Sequence, residues 1–212
     1  MKLYFSPGAC SLSPHIVLHE AGLAADYQQV DTRTKEMVGG GDLRTVNPKG
    51  TVPTLQLDDG TVLTEGAVIV QYLADQAPGS NLAPPNGSLE RYRLQEWLNY
   101  IASELHTTFG QMFSPTATDA SRQRQKELLA PKFDFVERSL ADKPFLMGDT
   151  FTVADAYLAT ILTWSIPTAT DLSSWPALKA YHGRMLARPA VRAALREEGL
   201  IDQLPGASPA AQ

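Results

Sequence analysis

Hydrophobic and polar positions change rhythm about a third of the way along the 212-residue chain. Up to residue 78, short apolar runs separated by turn residues predict strands and helices in mixture. Residues 2–5 read as a strand, Ser6-Pro7-Gly8-Ala9 as the loop leaving it, and residues 27–31 as a second strand. Between them, Pro14 is tolerated only in the first turn of a helix, so Cys10 to Ser13 must stand at its amino terminus, and Gly22 suits its stop. Strand, helix, strand in this order implies a crossover with parallel pairing. The polar stretch 32–41, ending in three glycines, predicts a mobile connection with at most a helical turn.

Residues 47–67 hold the densest local signals. Pro48 and Gly50 mark a turn, and Asp59-Gly60 marks a hairpin between strands over 54–57 and 61–63, with Leu55 and Leu57 on a buried face. Pro53 removes a ladder donor, so either the strand end frays or the Val52–Pro53 bond is cis. Val52 then keeps its N–H and C=O for an extended, peptide-like ligand. Thr64 is expected to cap a helix over about 65–75, on which Val68, Ile69 and Tyr72 have helical spacing. Glu65 would stand beside that helix's free N–H groups and positive pole, a place for carboxylate and ammonium groups together. An ordinary hairpin running into a helix is the plainer reading of the same residues.

Pro78 to Gly87, rich in Pro, Gly, Asn and Ser, is the clearest linker signal. Beyond it the pattern is helical throughout. Ser88 is placed to cap a long helix with an apolar stripe of Leu94, Trp97, Leu98, Ile101 and Leu105, and further helices are expected over 128–140, 153–164, 176–187 and 189–198. Pro131 predicts a kink or two segments, and 204–212 reads as a frayed tail. The fold class is thus an α/β domain over 1–78 with a mixed sheet in the order β-α-β-α-β-β-α, a linker over 79–87, and an all-helical domain over 88–203.

Charge and cysteine usage narrow the functional classes. A net charge of -5 argues against nucleic-acid binding, and a single cysteine excludes an intrachain disulfide and fits a reducing compartment. The apolar start is broken at once by Ser6-Pro7-Gly8, and no apolar run approaches membrane-spanning length. A soluble, cytoplasmic protein with no membrane partner is the expectation.

The candidate chemistry lies at two helix positions. Cys10-Ser11-Leu12-Ser13 opens a helix after a strand, where thioredoxin-like proteins carry redox cysteines, but serine stands in the second place. A dithiol shuttle is excluded while a mixed disulfide with a small thiol remains open. A helix amino terminus is expected to depress the Cys10 pKa; a small buried filler is the plainer reading. Ser11 is the second candidate, as hydroxyl donor to a bound sulfur. Lowering a ligand thiol of pKa near ~9 by two units takes ~2.7 kcal/mol. A helix end supplies ~0.3–1 kcal/mol, so a charge-assisted hydrogen bond of ~1.5–3 kcal/mol must be added. On the long helix, Asn99, Ser103 and His106 fall on one face, either a solvated polar face or the source of that second group. Glu104 sits off it and is expected to face a partner subunit. Thr152-Val153-Ala154-Asp155 reads as a capping box, a structural role.

Taken in order, Met1-Lys2-Leu3-Tyr4, Pro7 to Ile16, Asn47-Pro48-Lys49-Gly50 with Val52-Pro53, Leu63-Thr64-Glu65-Gly66, Gln71 to Asp75, Glu96 to Tyr100, Glu104-Leu105-His106 and Phe151 to Tyr157 resemble the bacterial beta-class glutathione transferases. The resemblance spans residues 1 to about 200. It implies a homodimeric detoxifying transferase that attacks a small hydrophobic electrophile with glutathione thiolate, glutathione being a co-substrate and no cofactor or metal being needed. It implies that Cys10 lies near the sulfur, Lys35 and the Val52 backbone along the tripeptide, and Glu65 and Gly66 at its γ-glutamyl end. Asn99, Ser103, Glu104 and His106 would complete the site, some from the second subunit, with Phe109, Phe113 and Trp164 around the electrophile. Gly66 lacks the hydroxyl many relatives carry, and Thr107 stands where relatives often have lysine. A thiol-disulfide oxidoreductase or peroxidase using Cys10 covalently, and a non-catalytic ligand-binding protein, are the alternatives.

Overall fold

The computed structural model describes residues 1–203; the tail expected over 204–212 lies outside the described residues. β1 (Lys2–Phe5) runs into α1 (Leu12–Ala21), and the chain returns in β2 (Asp26–Gln29), parallel to β1. Gly22 ends α1 in the left-handed region at φ 64°, where glycine meets no Cβ clash, and its N–H bonds the His19 carbonyl. β3 (Thr54–Gln56) and β4 (Val62–Thr64) form the expected hairpin about Asp59-Gly60, and β3 also pairs antiparallel with β1. The sheet order is β2-β1-β3-β4. Leu3 stands opposite Leu55, and both are fully buried. α2 (Gly66–Gln76) packs with α1 against that face. Tyr4, Val30 and Leu43 make a separate small cluster.

Two local expectations need correcting. The second helix of the expected order shrinks to a 3-10 turn (Leu43–Thr45), while 32–41 is tied at its ends by bridges from Val30 to Met37 and Glu36 to Asp42. Thr64 ends β4 instead of capping α2. The residue before that helix is Glu65, at φ 70° and without a side-chain cap. A non-glycine residue held in the left-handed region costs of order 1–3 kcal/mol and persists where surrounding contacts impose it.

After a 3-10 turn (Pro78–Ser80), the segment to Ser88 is anchored: Leu82 is buried and the Arg91 guanidinium grips Asp75 through two bonds of 2.9 and 2.8 Å. Ser88 Oγ accepts the Arg91 N–H and caps α3 (Leu89–Tyr100), as its place before the apolar stripe predicts. The helix then passes through a π segment (Ile101–His106) into α4 (Thr107–Met112). α5 (Asp119–Leu140) begins well before residue 128, capped by Thr118 and Ser121, and Pro131 lies inside one uninterrupted helix, not between two segments. α6 (Val153–Thr163) is buried on every side, with α7 (Pro176–Ala187) and α8 (Pro189–Glu197) completing the helical part. Because α6 packs on α1, α2, α3 and the π segment, the sheet and the helical part share one core.

At the start of α6 the Asp155 carboxylate, fully buried, accepts the Thr152 N–H at 2.8 Å and Thr152 Oγ1 at 2.9 Å. It also takes the Leu146 N–H at 2.9 Å and the Tyr181 hydroxyl at 2.9 Å. It is a cap and also the hub joining α6 to α7.

Candidate active site

The amino terminus of α1 is held from three directions. Ser11 Oγ accepts the Ser6 N–H at 3.1 Å and lies 3.3 Å from the Ser6 carbonyl, closing the loop on itself. The Gly8 N–H donates to Glu198 Oε2 at 2.8 Å, and Trp164 Nε1 donates to the Gly8 carbonyl at 2.7 Å. Ser11 is thereby fully buried with its hydroxyl committed to the main chain, which corrects the expectation that it donates to a bound sulfur.

Cys10 stands just ahead of the helix, half-buried, and its thiol donates to the Val52 carbonyl at 3.3 Å. Burial pushes its pKa up from 9.0 to about 12, against the opposing pull of the Cys10 and Ser11 N–H groups, and the Glu65 carboxylate pushes the same way. The expected depression by the helix end therefore loses to desolvation. At neutral pH Cys10 is a thiol and a hydrogen-bond donor.

The Val52–Pro53 bond is cis, one of the two outcomes expected from Pro53. Val52 presents its N–H with no acceptor among the described residues. Glu65 pairs with Lys49 at 2.7 Å, and Lys49 also donates to Thr64 Oγ1 at 3.0 Å. Both members of that pair are largely exposed, so opening it for a ligand costs little. Gly66 begins α2, and the Gly66 and Ala67 N–H groups have no acceptor among the described residues, as the first turn of a helix requires.

From the helical side come His106 and Tyr157. His106 Nδ1 and the Tyr157 hydroxyl are 2.7 Å apart, and burial lowers the His106 pKa, so the ring is neutral near pH 7. Burial raises the Tyr157 pKa, and the Cys10 thiolate that forms only at strongly alkaline pH and the Glu65 carboxylate add to it, so the phenol keeps its proton. Cys10, Lys49, Thr51, Val52, Glu65, Gly66, His106 and Tyr157 line one cavity of about 520 Å³, closed on the helical side by Ala102, Thr107, Gly110 and Gln111. An adjoining cavity of about 240 Å³ shares Cys10, Val52 and His106 and adds Lys35 and Trp164.

Other expected residues lie elsewhere. Asn99, Ser103 and Glu104 line a different cavity, with Arg93, Glu96, Trp97, Tyr100 and Phe135. Glu104 there bonds Lys132 at 2.6 Å. The shared face of Asn99, Ser103 and His106 presumed an unbroken α-helix. The π segment between them turns less per residue and sends His106 towards Cys10. Phe109 is fully buried core and lines neither cavity beside Cys10, Phe113 is exposed, and Trp164 alone of the three expected aromatics reaches the site. Lys49 and Tyr157 also line the cavity, beyond the residues expected there, although both stand in motifs that carry the resemblance.

Known proteins resemble the chain along nearly its whole length. Residues 8–76 match the family model for the glutathione S-transferase N-terminal domain, and residues 100–189 that for the C-terminal domain. The chain is 44% identical over 200 residues to glutathione S-transferase GstA of Escherichia coli O157:H7, covering 94% of this chain and 100% of that one. Its structure is similar to that of BphK, a bacterial transferase solved as a ternary complex, with TM-score 0.92, 54% identity and coverage of 94% and 100%. It is similar also to the beta-class enzyme of Sphingomonas chungbukensis, with TM-score 0.91, 45% identity and coverage of 95% and 100%. With both halves matched in order and the bacterial beta-class structures superimposing along nearly the whole length, the chain belongs to the glutathione transferase family.

Proposed function

We propose that the protein conjugates glutathione, as thiolate, to small hydrophobic electrophiles. The observation that carries this reading is the alignment of Cys10, the free Val52 N–H and the Glu65–Gly66 helix start along one cavity wall. A tripeptide laid against Val52 as an added strand brings its sulfur to Cys10 and its γ-glutamyl group to Glu65. Glu65 then takes the ammonium, displacing Lys49, and the Gly66 and Ala67 N–H groups take the carboxylate. At the sulfur, the Cys10 thiol and the Cys10 and Ser11 N–H groups are donors. With the Tyr157 hydroxyl donating to Nδ1, His106 carries its proton on Nε2 and offers it towards the same space. Catalysis is thus stabilisation and orientation of a thiolate, without a strong base or a resident cofactor in this site.

The function also requires a second copy of the chain in this reading. Asn99, Ser103 and Glu104, gathered in a cavity of about 520 Å³ away from Cys10, complete the glutathione site of a homodimer, and the setting is the cytoplasm. The sedimentation of the protein as a dimer that dissociates on charge reversal at Glu104 checks the first point.

Titration calorimetry with glutathione on reduced protein, followed by an aromatic-halide conjugation assay, tests the main reading. Absence of glutathione uptake overturns it. The neutral Cys10 thiol disfavours the covalent oxidoreductase alternative, and Cys10→Ser separates the two. Conjugation survives the change if Cys10 is only a donor, whereas reduction of mixed disulfides through Cys10 is abolished.

A further inference from the structure

Where α8 packs on α1, two histidines and two carboxylates converge. His15 and His19 are one turn apart on α1, their rings stacked at 5.4 Å, and both Nε2 atoms face one oxygen, Glu197 Oε2, at 2.8 and 3.2 Å. His15 is buried and its other nitrogen, Nδ1, lies 3.0 Å from Glu198 Oε1. The glutathione chemistry uses none of these groups.

We propose that His15 Nε2, His19 Nε2 and the Glu197 carboxylate form a binding site for a divalent transition-metal ion of the zinc type, with Glu198 as the carboxylate behind the first ligand.

Geometry carries the assignment. The three ligand atoms lie within 4.8 Å of one another. Tetrahedral zinc bonds of ~2.0–2.2 Å to nitrogen and oxygen set neighbouring ligand atoms ~3.4 Å apart, so small side-chain rotations suffice. Histidines four apart on one helix face, joined by a carboxylate from another element, are a recurrent zinc arrangement.

His15 Nδ1 faces Glu198 Oε1 at 3.0 Å and His15 Nε2 faces Glu197 Oε2 at 2.8 Å, and that same Glu197 oxygen also faces His19 Nε2 at 3.2 Å. A metal ion bound among the two Nε2 atoms and the Glu197 oxygen displaces to solvent any proton held there. The Glu198–His15 pair then supplies the outer-shell hydrogen bond that fixes the tautomer of a metal-bound histidine.

Access and selectivity also fit. The His19 and Glu197 side chains are 26% and 47% exposed, leaving an entry path and room for water as a fourth ligand. Two imidazoles and one carboxylate favour zinc, cobalt or nickel over magnesium or calcium. Because Glu198 Oε2 also holds the Gly8 N–H, an ion here pins α1 to α8 directly beneath the loop that leads to Cys10.

Zinc titrated into the untagged full-length protein by calorimetry tests the site, with His19→Ala, His19→Gln and Glu197→Gln as variants. All three change partly exposed side chains, and circular dichroism checks that they fold. One equivalent of zinc is expected to bind wild type and raise its thermal midpoint, with affinity falling roughly tenfold or more in each variant. Cobalt in place of zinc is expected to give the intense visible bands of a four-coordinate ion, lost in His19→Ala. No uptake by wild type, or uptake unchanged in the histidine variants or in Glu197→Gln, overturns the assignment, the second outcome placing the ion elsewhere.

Discussion

The two walls of the Cys10 cavity are built from different material. On the sheet side, the cis Val52–Pro53 turn and the first residues of α2 present main-chain groups, supplemented by one exposed ion pair, Lys49–Glu65. On the helical side, His106 and Tyr157 present side chains from helices buried in the common core. Main-chain groups keep their positions whatever residue carries them and suit recognition of an invariant peptide. Side chains change with single substitutions and suit an electrophile that varies. On the proposed function, the difference assigns affinity for glutathione to the sheet wall, and turnover and electrophile preference to the helical one.

The largest expected effect sharpens the boundary between the walls. With its pKa raised from 9.0 to about 12, Cys10 holds about a thousandth of the thiolate of an ordinary thiol at pH 8. Alkylation of Cys10 is expected to be slower than that of free glutathione by roughly that factor and to accelerate as pH rises through 9 and beyond. A thiol whose pKa rises on folding contributes its full stabilisation below the unfolded value and loses that contribution as pH climbs towards 12. Rapid alkylation at pH 7 breaks the picture of Cys10 as a protonated donor.

Next in size is the support of the helical wall. Asp155→Ala removes the carboxylate acceptor of four groups, the Leu146 and Thr152 N–H and the Thr152 and Tyr181 hydroxyls, each costing ~1–3 kcal/mol when left buried and unpaired. A lost cap alone would cost ~1–2 kcal/mol. Urea unfolding is expected to show at least ~3 kcal/mol of destabilisation, with glutathione affinity nearly unchanged in the folded fraction because the sheet wall is intact.

Glu65→Ala on the sheet wall is expected to weaken glutathione binding by roughly 10- to 100-fold, the worth of one charge-assisted hydrogen bond. Tyr157→Phe, by contrast, lowers kcat and leaves that affinity within about threefold. Calorimetry and steady-state kinetics on the same two variants give the comparison directly; equal losses of affinity in both erase the distinction between the walls.

The smallest effect is a gain. A Cβ at Gly66 would meet Pro53 Cγ at 3.6 Å and Ser13 Oγ at 3.9 Å, ordinary contacts. Gly66→Ser therefore adds a hydroxyl beside the γ-glutamyl carboxylate without strain and is expected to tighten binding about three- to tenfold.

Much of the sheet wall was legible because its signals are local. Pro53 restricts its own peptide bond, Asp59-Gly60 closes its own hairpin, and Glu65 is adjacent to the helix it introduces. The Glu65 backbone, forced to φ 70°, and the pairing of Lys49 with it were not legible, since both arise where separate elements meet. The helical wall was harder to read. Projecting Asn99, Ser103 and His106 on an ideal helix assumed a constant turn per residue, which the π segment breaks. Similarly, the helix end beside Cys10 is visible in the sequence, while its desolvation comes from residues distant in sequence. His15 and His19 carried a visible four-residue spacing, but Glu197 reaches them only through the packing of α8 on α1.

By itself the sequence determined the order of the strands and of most helices, the caps at Ser88 and Gly22, the turn at Pro53 and membership of a family through many ordered motifs. Each of these depends on residues within a few positions of one another, where steric limits and hydrogen-bond partners are written in the chain. Only the tertiary structure decided which side chains share a cavity, that Ser11 is spent on its own loop, and that Cys10 remains a thiol. Burial, charge and ligand convergence are sums over neighbours brought from afar, and packing alone chooses those neighbours.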